Sequence, residues 1–271
     1  MSFKISIVTA TFNRRDYLPR CIESIASQAY PDKEHIIIDG GSTDGTVAVL
    51  EEYGRRYPHL RWISEKDDGL SQAFNKGLAR TTGDAIGVLG DDDLYLPGAF
   101  ETVAEAFNAN PQAGVIAANC DFIREDGTVW ITQKANFTSR TDLIQFWRYW
   151  GNRITIPATS SFFRREVLDT VGGFDEADRY AMDYHHWIKI TEKFAIVTVN
   201  KTIAQFRYDE GTISCTGTEK QAAEAVAISQ KYWGSKLSAD YYRIAWSYLP
   251  YYWRPRLKVK TWLRGLVGRG R

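Results

Sequence analysis

The pattern that most limits the fold is a series of short apolar, β-branched runs alternating with stretches of helical spacing. The runs are Lys4–Ala10, Ile36–Ile38, Arg61–Ser64 and Ala85–Leu89. Between them lie Asp16–Gln28, Thr46–Tyr57 and Leu70–Arg80, and in the first of these Leu18, Cys21, Ile22 and Ile25 fall on one helical face. Apolar runs that do not alternate mark strands buried on both faces. The strand–helix order therefore predicts an α/β fold: a mostly parallel sheet, helices on both sides, right-handed crossovers. Residues just past each run should then share one sheet edge, where open α/β sheets bind ligands. Those residues are Thr9 to Arg14, Asp39, Asp67 with Asp68, and Asp91 to Asp93.

The second half is less regular. Strands are expected at Val115–Asn119, Thr159–Phe163, Ala195–Val199 and Thr202–Arg207. A hairpin over Phe122–Thr132 turns at Asp126-Gly127. Helices are expected at Arg140–Tyr149, Tyr184–Phe194 and Glu219–Trp233. The organisation we expect is residues 1-110 and 111-215 as two halves of one domain, with 216-271 a helical, basic and aromatic extension.

Composition removes several classes. With 271 residues, 44% hydrophobic and 25% charged, the chain is an ordinary globular one. A net charge of +1 points to no partner. Cys21, Cys120 and Cys215 are scattered, without a C-x-x-C, which argues against a disulfide scaffold or zinc site and fits a reducing cytosol. No signal peptide is visible at Met1–Lys4. No apolar run approaches the ~20 residues of a membrane span.

The densest chemistry is Gly90-Asp91-Asp92-Asp93, at the exit of the Ala85–Leu89 run. Packed carboxylates raise one another's pKa unless a cation sits among them. Short loops of hard oxygen ligands suit Mg²⁺ or Mn²⁺, which in turn hold phosphate oxygens. An acidic turn that binds nothing is the alternative.

Taken in order, several segments resemble glycosyltransferase family 2. They are Ser6–Arg14, Ile38–Thr46, Ser64–Gly69 with Asn75-Lys76-Gly77, Gly83-Asp84 leading to Asp92-Asp93 and Pro97-Gly98, and Gly172–Asp175 with Met182-Asp183-Tyr184 and Trp187. The resemblance covers roughly residues 4 to 207 and implies the GT-A fold, a Rossmann-like nucleotide half joined to an acceptor half. It implies an inverting transfer of one sugar from a nucleotide-diphosphate sugar to a hydroxyl.

What the resemblance assigns is specific. Asp92 and Asp93 would hold Mn²⁺ or Mg²⁺, whose charge offsets that growing on the leaving diphosphate. The family's frequent Asp-x-Asp-Asp places its first Asp at Gly90, so Asp91 is left to take ribose or metal contacts. Asp39 would accept from the N3–H of a uracil or thymine ring, or else play a helix N-cap role near Gly41-Ser42. The backbone of Thr9, Thr11, Phe12 and Asn13 would lie under the base. Arg14 would reach a phosphate or an acceptor, or stay in solvent; Lys76 would meet phosphate, or solvent. Asp67 would lie near the nucleotide. Asp183 would be the base that deprotonates the acceptor hydroxyl, its helix N-terminus favouring the ionised form, or only a cap. Met182 and His186 depart from the usual residues beside it, which reads as acceptor tuning; His185, His186 and Trp187 are the acceptor-contact candidates.

Gln145–Tyr149 nearly spells the Gln-x-x-Arg-Trp of processive relatives, but it precedes Asp183, so a single addition is expected. Gly40–Gly45 matches neither a dinucleotide fingerprint nor a Walker loop. The rival readings are a sugar-nucleotide pyrophosphorylase, whose glycine-rich first loop Thr9–Arg15 lacks, and a non-catalytic glycan- or nucleotide-binding module, which would not need Asp183. The end of the chain, from Tyr241, interleaves Tyr and Trp with Lys and Arg. It suggests contact with the inner membrane face, near a lipid-linked acceptor, for an otherwise cytoplasmic enzyme; a helix packed on the acceptor half is the alternative. Nothing upstream supports nucleic acid as a partner.

Overall fold

A computed structural model of the chain describes residues 3–145, 154–208 and 218–234. The Phe146–Tyr149 part of the Gln-x-x-Arg-Trp look-alike, Cys215 and the tail from Tyr241 lie outside the described residues. The expected strands and helices of the first half form. β1 (Ile5–Thr11), β2 (Lys33–Asp39), β3 (Leu60–Ser64) and β4 (Ala85–Gly90) alternate with α1 (Leu18–Ala26), α2 (Thr46–Arg56) and α3 (Leu70–Leu78). All their pairings are parallel, in the order β3-β2-β1-β4. β1 shows why its sequence does not alternate. Ile5 and Ile7 enter one apolar cluster with Phe100 and Phe107, while Val8 and Ala10 enter the other with Phe74 and Trp187.

α3 lies close to β1 because position 77 has no side chain. A Cβ on Gly77 would come 2.2 Å from Val8 Cγ1. Gly77→Ala should therefore force strand and helix apart. We expect a loss of about 1–3 kcal/mol from overpacking, read as a drop of several degrees in Tm. An unchanged Tm would mean that α3 can shift freely.

The second half joins the same sheet but mixes directions. A two-residue strand not expected from sequence, β5 (Leu94–Tyr95), follows β4, and α4 (Ala99–Ala109) leads to β6 (Ala113–Ile123). β7 (Val129–Gln133) folds back on β6 through the Asp126-Gly127 turn, with Gly127 at φ 81°. Then come α5 (Arg140–Ile144), β8 (Ser161–Arg164), α6 (Arg165–Val171), α7 (Met182–Ile190), β9 (Ala195–Arg207) and α8 (Thr218–Lys231). β8 is antiparallel to both β4 and β6, β9 is parallel to β6, and β5 closes the far edge against β9. Among the described residues this makes a nine-stranded mixed sheet, with β5 of the first half lying beyond β9 of the second. The two strands expected at 195–199 and 202–207 are one strand. Asn200-Lys201, the gap between the two expected runs, is an irregularity in the β6–β9 register, and Asn119 Nδ2 donates to Asn200 Oδ1 across it at 3.1 Å.

Candidate active site

The carboxyl ends of β1 and β4 open onto a cleft of about 540 Å³. Thr11, Phe12, Arg14 and Asp67 line one side and Asp91, Asp92 and Asp93 the back. Phe174, Arg179, Tyr180, Met182, Asp183 and Trp187 form the facing wall, and Gln221 of α8 reaches its rim. The strand-end acids and Asp183, nearly a hundred residues apart in sequence, thus share one cavity.

The loop after β4 is not three equivalent carboxylates. Asp93 is turned inward, 3% exposed. Its Oδ1 accepts the Arg207 backbone N–H at 2.9 Å and its Oδ2 the Thr159 hydroxyl at 3.2 Å, so it ties the loop to β9 and to the entry of β8. Burial, then the neighbouring Asp92, push its pKa well up. Gly90 makes room for this: a Cβ there would meet Asp93 Oδ2 at 2.8 Å. The absence of the family's first acid and the inward turn of the last belong together. Asp91 is also mostly buried. Its pKa is pushed up to about 7 by burial and by Asp92, against the pull of the Thr11 hydroxyl and the Arg14 guanidinium. Arg14 Nε lies 3.8 Å from its Oδ1. Of the pair expected at Asp92 and Asp93, Asp93 lines the cleft but has both oxygens engaged by Thr159 and the Arg207 amide. Asp92 and Asp91 both line the cleft, and two neighbouring carboxylates, one of them held at raised pKa by burial, fit a hard divalent cation.

A second cluster of metal-ligand type is present. Side-chain atoms of Asp175, Asp178 and His185 lie within 4.8 Å of one another. His185 Nδ1 and Asp178 Oδ2 are 2.5 Å apart, however, a hydrogen-bond distance. Two ligands of one ion, each ~2.1 Å from it, stand roughly 3 Å apart. His185 Nε2 is also taken, by the Tyr232 hydroxyl at 2.7 Å. The cluster is a proton-bridged link between the loop before α7 and the end of α8.

Asp39 is fully buried under the turn it precedes. Its carboxylate accepts the N–H groups of Gly41 and Ser42 at 3.1 and 3.0 Å, the Ser42 hydroxyl, and the Ser64 hydroxyl at 2.6 Å. Asp39 thus closes the Gly41-Ser42 turn rather than capping α2, whose N-cap is Gly45, and it does not line the cleft. Thr9 is likewise interior, bonded to His35 Nε2 at 2.9 Å. Asn13 sits at φ 55°, a left-handed conformation, and ties the two loops together: its Oδ1 accepts Thr43 N–H and its N–H donates to Ser42 Oγ. Phe12, by contrast, is 59% exposed on the cleft. Asp67 is at the cleft too, packed against Gly40.

Lys76 is held by Glu65 at 2.9 Å and by the Lys66 carbonyl, away from the cleft wall. The expectation that it meets phosphate is corrected, because a nearer carboxylate takes the ammonium. The two histidines are corrected as well. His185 is bridged as above, and His186 is buried among Phe163, Phe174 and Trp187, where burial drives its pKa down to about 3. Neither lines the cleft; Trp187 does.

Asp183 stands at the second position of α7, on the cleft. It accepts Tyr184 N–H at 2.8 Å. Burial nevertheless pushes its pKa up, and Glu224 adds to the rise. The helix start thus does not dominate, as the sequence suggested; desolvation does. A carboxylate of raised pKa is the stronger proton acceptor.

Sequence comparison places these features among known proteins. The profile of "Glycosyl transferase family 2" matches residues 6–172. Chondroitin synthase of Escherichia coli is 29% identical over 204 residues, 73% of this chain but 28% of that protein. An uncharacterised glycosyltransferase of Nostoc sp. is 31% identical over 175 residues, 64% of this chain and 54% of that one. The chain thus spans only part of these curated relatives. An uncharacterised glycosyltransferase of Mycobacterium tuberculosis is 29% identical over 207 residues, 74% of each chain. Among solved structures, S. aureus TarS 1-349 in complex with UDP-GlcNAc superposes with a TM-score of 0.67 at 18% identity, covering 87% of this chain and 68% of that one. A mannosyltransferase of Pyrobaculum calidifontis in complex with GDP-Man and Mn²⁺ does so with 0.65 at 18%, covering 92% and 70%. At such identities these are likenesses of fold.

Proposed function

Because the chain belongs to glycosyltransferase family 2, we propose that its cleft performs an inverting, single-sugar transfer from a nucleotide-diphosphate sugar to a hydroxyl acceptor. UDP- or dTDP-sugars are the favoured donors, and a glycan or lipid-linked glycan the acceptor. The observation that carries this reading is that Asp183 and the Asp91–Asp92 loop line one cavity. The complexes of TarS with UDP-GlcNAc and of the mannosyltransferase with GDP-Man and Mn²⁺ support a sugar-nucleotide donor and a divalent cation.

The donor lies with its diphosphate toward Asp91 and Asp92 and its sugar toward Asp183. Mn²⁺ or Mg²⁺ at Asp92 and Asp91 supplies positive charge for the leaving diphosphate. Arg14 adds a fixed cation beside the same loop. Phe12 offers an exposed ring where the base would stack. Asp183 takes the proton of the acceptor hydroxyl as that oxygen attacks the anomeric carbon from the side opposite the diphosphate. The bond to the diphosphate breaks, and the configuration inverts. Arg179, Tyr180 and Trp187, on the Asp183 wall, are placed to meet the acceptor.

Among the described residues no helix is long and apolar enough to cross a membrane. A cytoplasmic enzyme touching the inner membrane face through residues 241–271 remains part of the proposal. A thermal-shift screen of nucleotide sugars with Mn²⁺, followed by product analysis, tests the reading. We expect one UDP- or dTDP-sugar to raise Tm and to release nucleoside diphosphate without pyrophosphate. Pyrophosphate release would favour a pyrophosphorylase. Binding without either product would favour a non-catalytic module.

A further inference from the structure

The backbone leading into α7, where Asp183 sits, is held from outside the helix. Asp183 Oδ1 accepts the Tyr184 N–H inside the first turn, but the N-cap residue, Ala181, makes no side-chain cap, and its own N–H and that of Tyr180 need an acceptor from elsewhere. The acceptor comes from α8. Glu224 Oε1 takes the Tyr180 N–H and the Ala181 N–H, both at 2.9 Å. The same helix sends Gln221, three residues earlier and on the same face, to the rim of the cleft. A second tie lies further along: the Tyr232 hydroxyl, just past α8, bonds His185 in the middle of α7. So α8, which lies beyond the 6–172 match to the family profile, grips the segment that carries the proposed base at two points. Only the first brings a negative charge to face it.

We infer that Glu224 is a positioning residue for Asp183, fixing the backbone turn from which Asp183 projects and bringing a carboxylate up against that turn. The inference rests on the reading of Asp183 as the base. Other charged groups around Asp183 are accounted for. Arg14, Asp67, Asp91, Asp92, Asp93, Arg179 and Arg207 line the same cleft, and Lys220 lies over the Tyr180 ring, 5.7 Å from its centroid. Of these only Lys220 lies on α8, and Glu224→Gln leaves every one of their charges unchanged. Burial alone would raise Asp183, and the Glu224 carboxylate pushes in the same direction. Removing the charge while keeping the hydrogen bonds should therefore lower the pH at which Asp183 gives up its proton. Glu224→Gln does this, because its amide oxygen can accept the same two N–H groups.

The first arm of the test needs no substrate. Full-length chain labelled at the aspartate carboxyl carbon is titrated by NMR, and the resonance missing from Asp183→Asn identifies Asp183. In Glu224→Gln its midpoint should move to lower pH. In Tyr232→Phe, which cuts the other tie between the same helices without removing a charge, it should stay where the wild type has it. Glu224→Ala, read in the same way, should lower the midpoint too. It should also cut turnover about tenfold at unchanged KM, through misplacement of Asp183, measured as UDP released from UDP-GlcNAc with water as acceptor. An unmoved midpoint in Glu224→Gln overturns the inference, as does an equal shift in Tyr232→Phe or a raised KM with unchanged kcat in Glu224→Ala. So does loss of circular-dichroism structure in both Glu224 variants, which would make the residue a structural anchor only. A chain without transferase activity would defeat the functional reading and still leave the titration interpretable.

Discussion

Asp183→Asn should bind donor as the wild type does and lose transfer by about 10²–10⁴-fold, the usual contribution of a positioned general base. The substitution keeps size and hydrogen-bonding shape, so the Tyr184 N–H still finds an oxygen and α7 still starts where it did. What is lost is the lone pair able to take a proton. The wild-type pH profile should show the same group. Burial, with Glu224 behind it, raises the Asp183 pKa, and the ionised form is the active one. kcat/KM should therefore climb with pH through a limb lying above the ordinary carboxylate range, and that limb should vanish in Asp183→Asn. Product release followed against pH at saturating cation checks both statements. Near-wild-type turnover in the variant would remove Asp183 from the chemistry and return it to helix capping.

The nucleotide side of the cleft was legible in the sequence because its residues are local. A parallel strand buried on both faces must end where polar residues begin, so Thr11, Asp67 and Asp91 to Asp93 could be assigned to one edge from the apolar runs alone. Other features could not be read. Thr159 and the Arg207 amide hold Asp93, and Glu224 holds the start of α7; each partner is between 43 and 114 residues away, and no local pattern announces it. The histidines misled for a related reason. Tyr184 through Ile188 are all buried, so α7 has no polar face from which to tell a cleft-lining side chain from an interior one. Lys76 misled because the Glu65 that captures it lies eleven residues back, outside any helical spacing. Asp39 kept two roles open in sequence, a ligand to the base or a helix cap, because one carboxylate can serve either, and only the loop contacts show that it closes the Gly41-Ser42 turn.

Without a divalent cation, the strand-end loop should weaken the protein as pH rises, and Mn²⁺ should reverse that loss. Asp91 keeps its proton to about pH 7 in the folded chain, against ~3.9 for an unfolded aspartate. Below the lower value both states are protonated and nothing is lost. Between the two the unfolded chain ionises while the folded one cannot, so stability drains away, and above about 7 the loss is complete. A three-unit difference corresponds to on the order of 4 kcal/mol. Glu34 acts in the opposite sense: burial would raise it, but the Ser6 hydroxyl and the Thr82 amide hold it low. The wild-type curve alone therefore mixes signs, and the difference between wild type and Asp91→Asn isolates the loop. In cation-free buffer Asp91→Asn should be the more stable protein at pH 8 and should match the wild type near pH 4. Adding Mn²⁺ at about 100 times its Kd should stabilise the wild type at pH 8 by about 2.7 kcal/mol, or roughly 5–10 °C. It should do far less at pH 5, where Asp91 is protonated, and far less for Asp91→Asn at either pH. Melting curves at the two pH values, with EDTA or with Mn²⁺, give all of these comparisons. Equal Mn²⁺ shifts in wild type and variant at pH 8 would mean that the cation sits elsewhere and that Asp91 is buried for the fold alone.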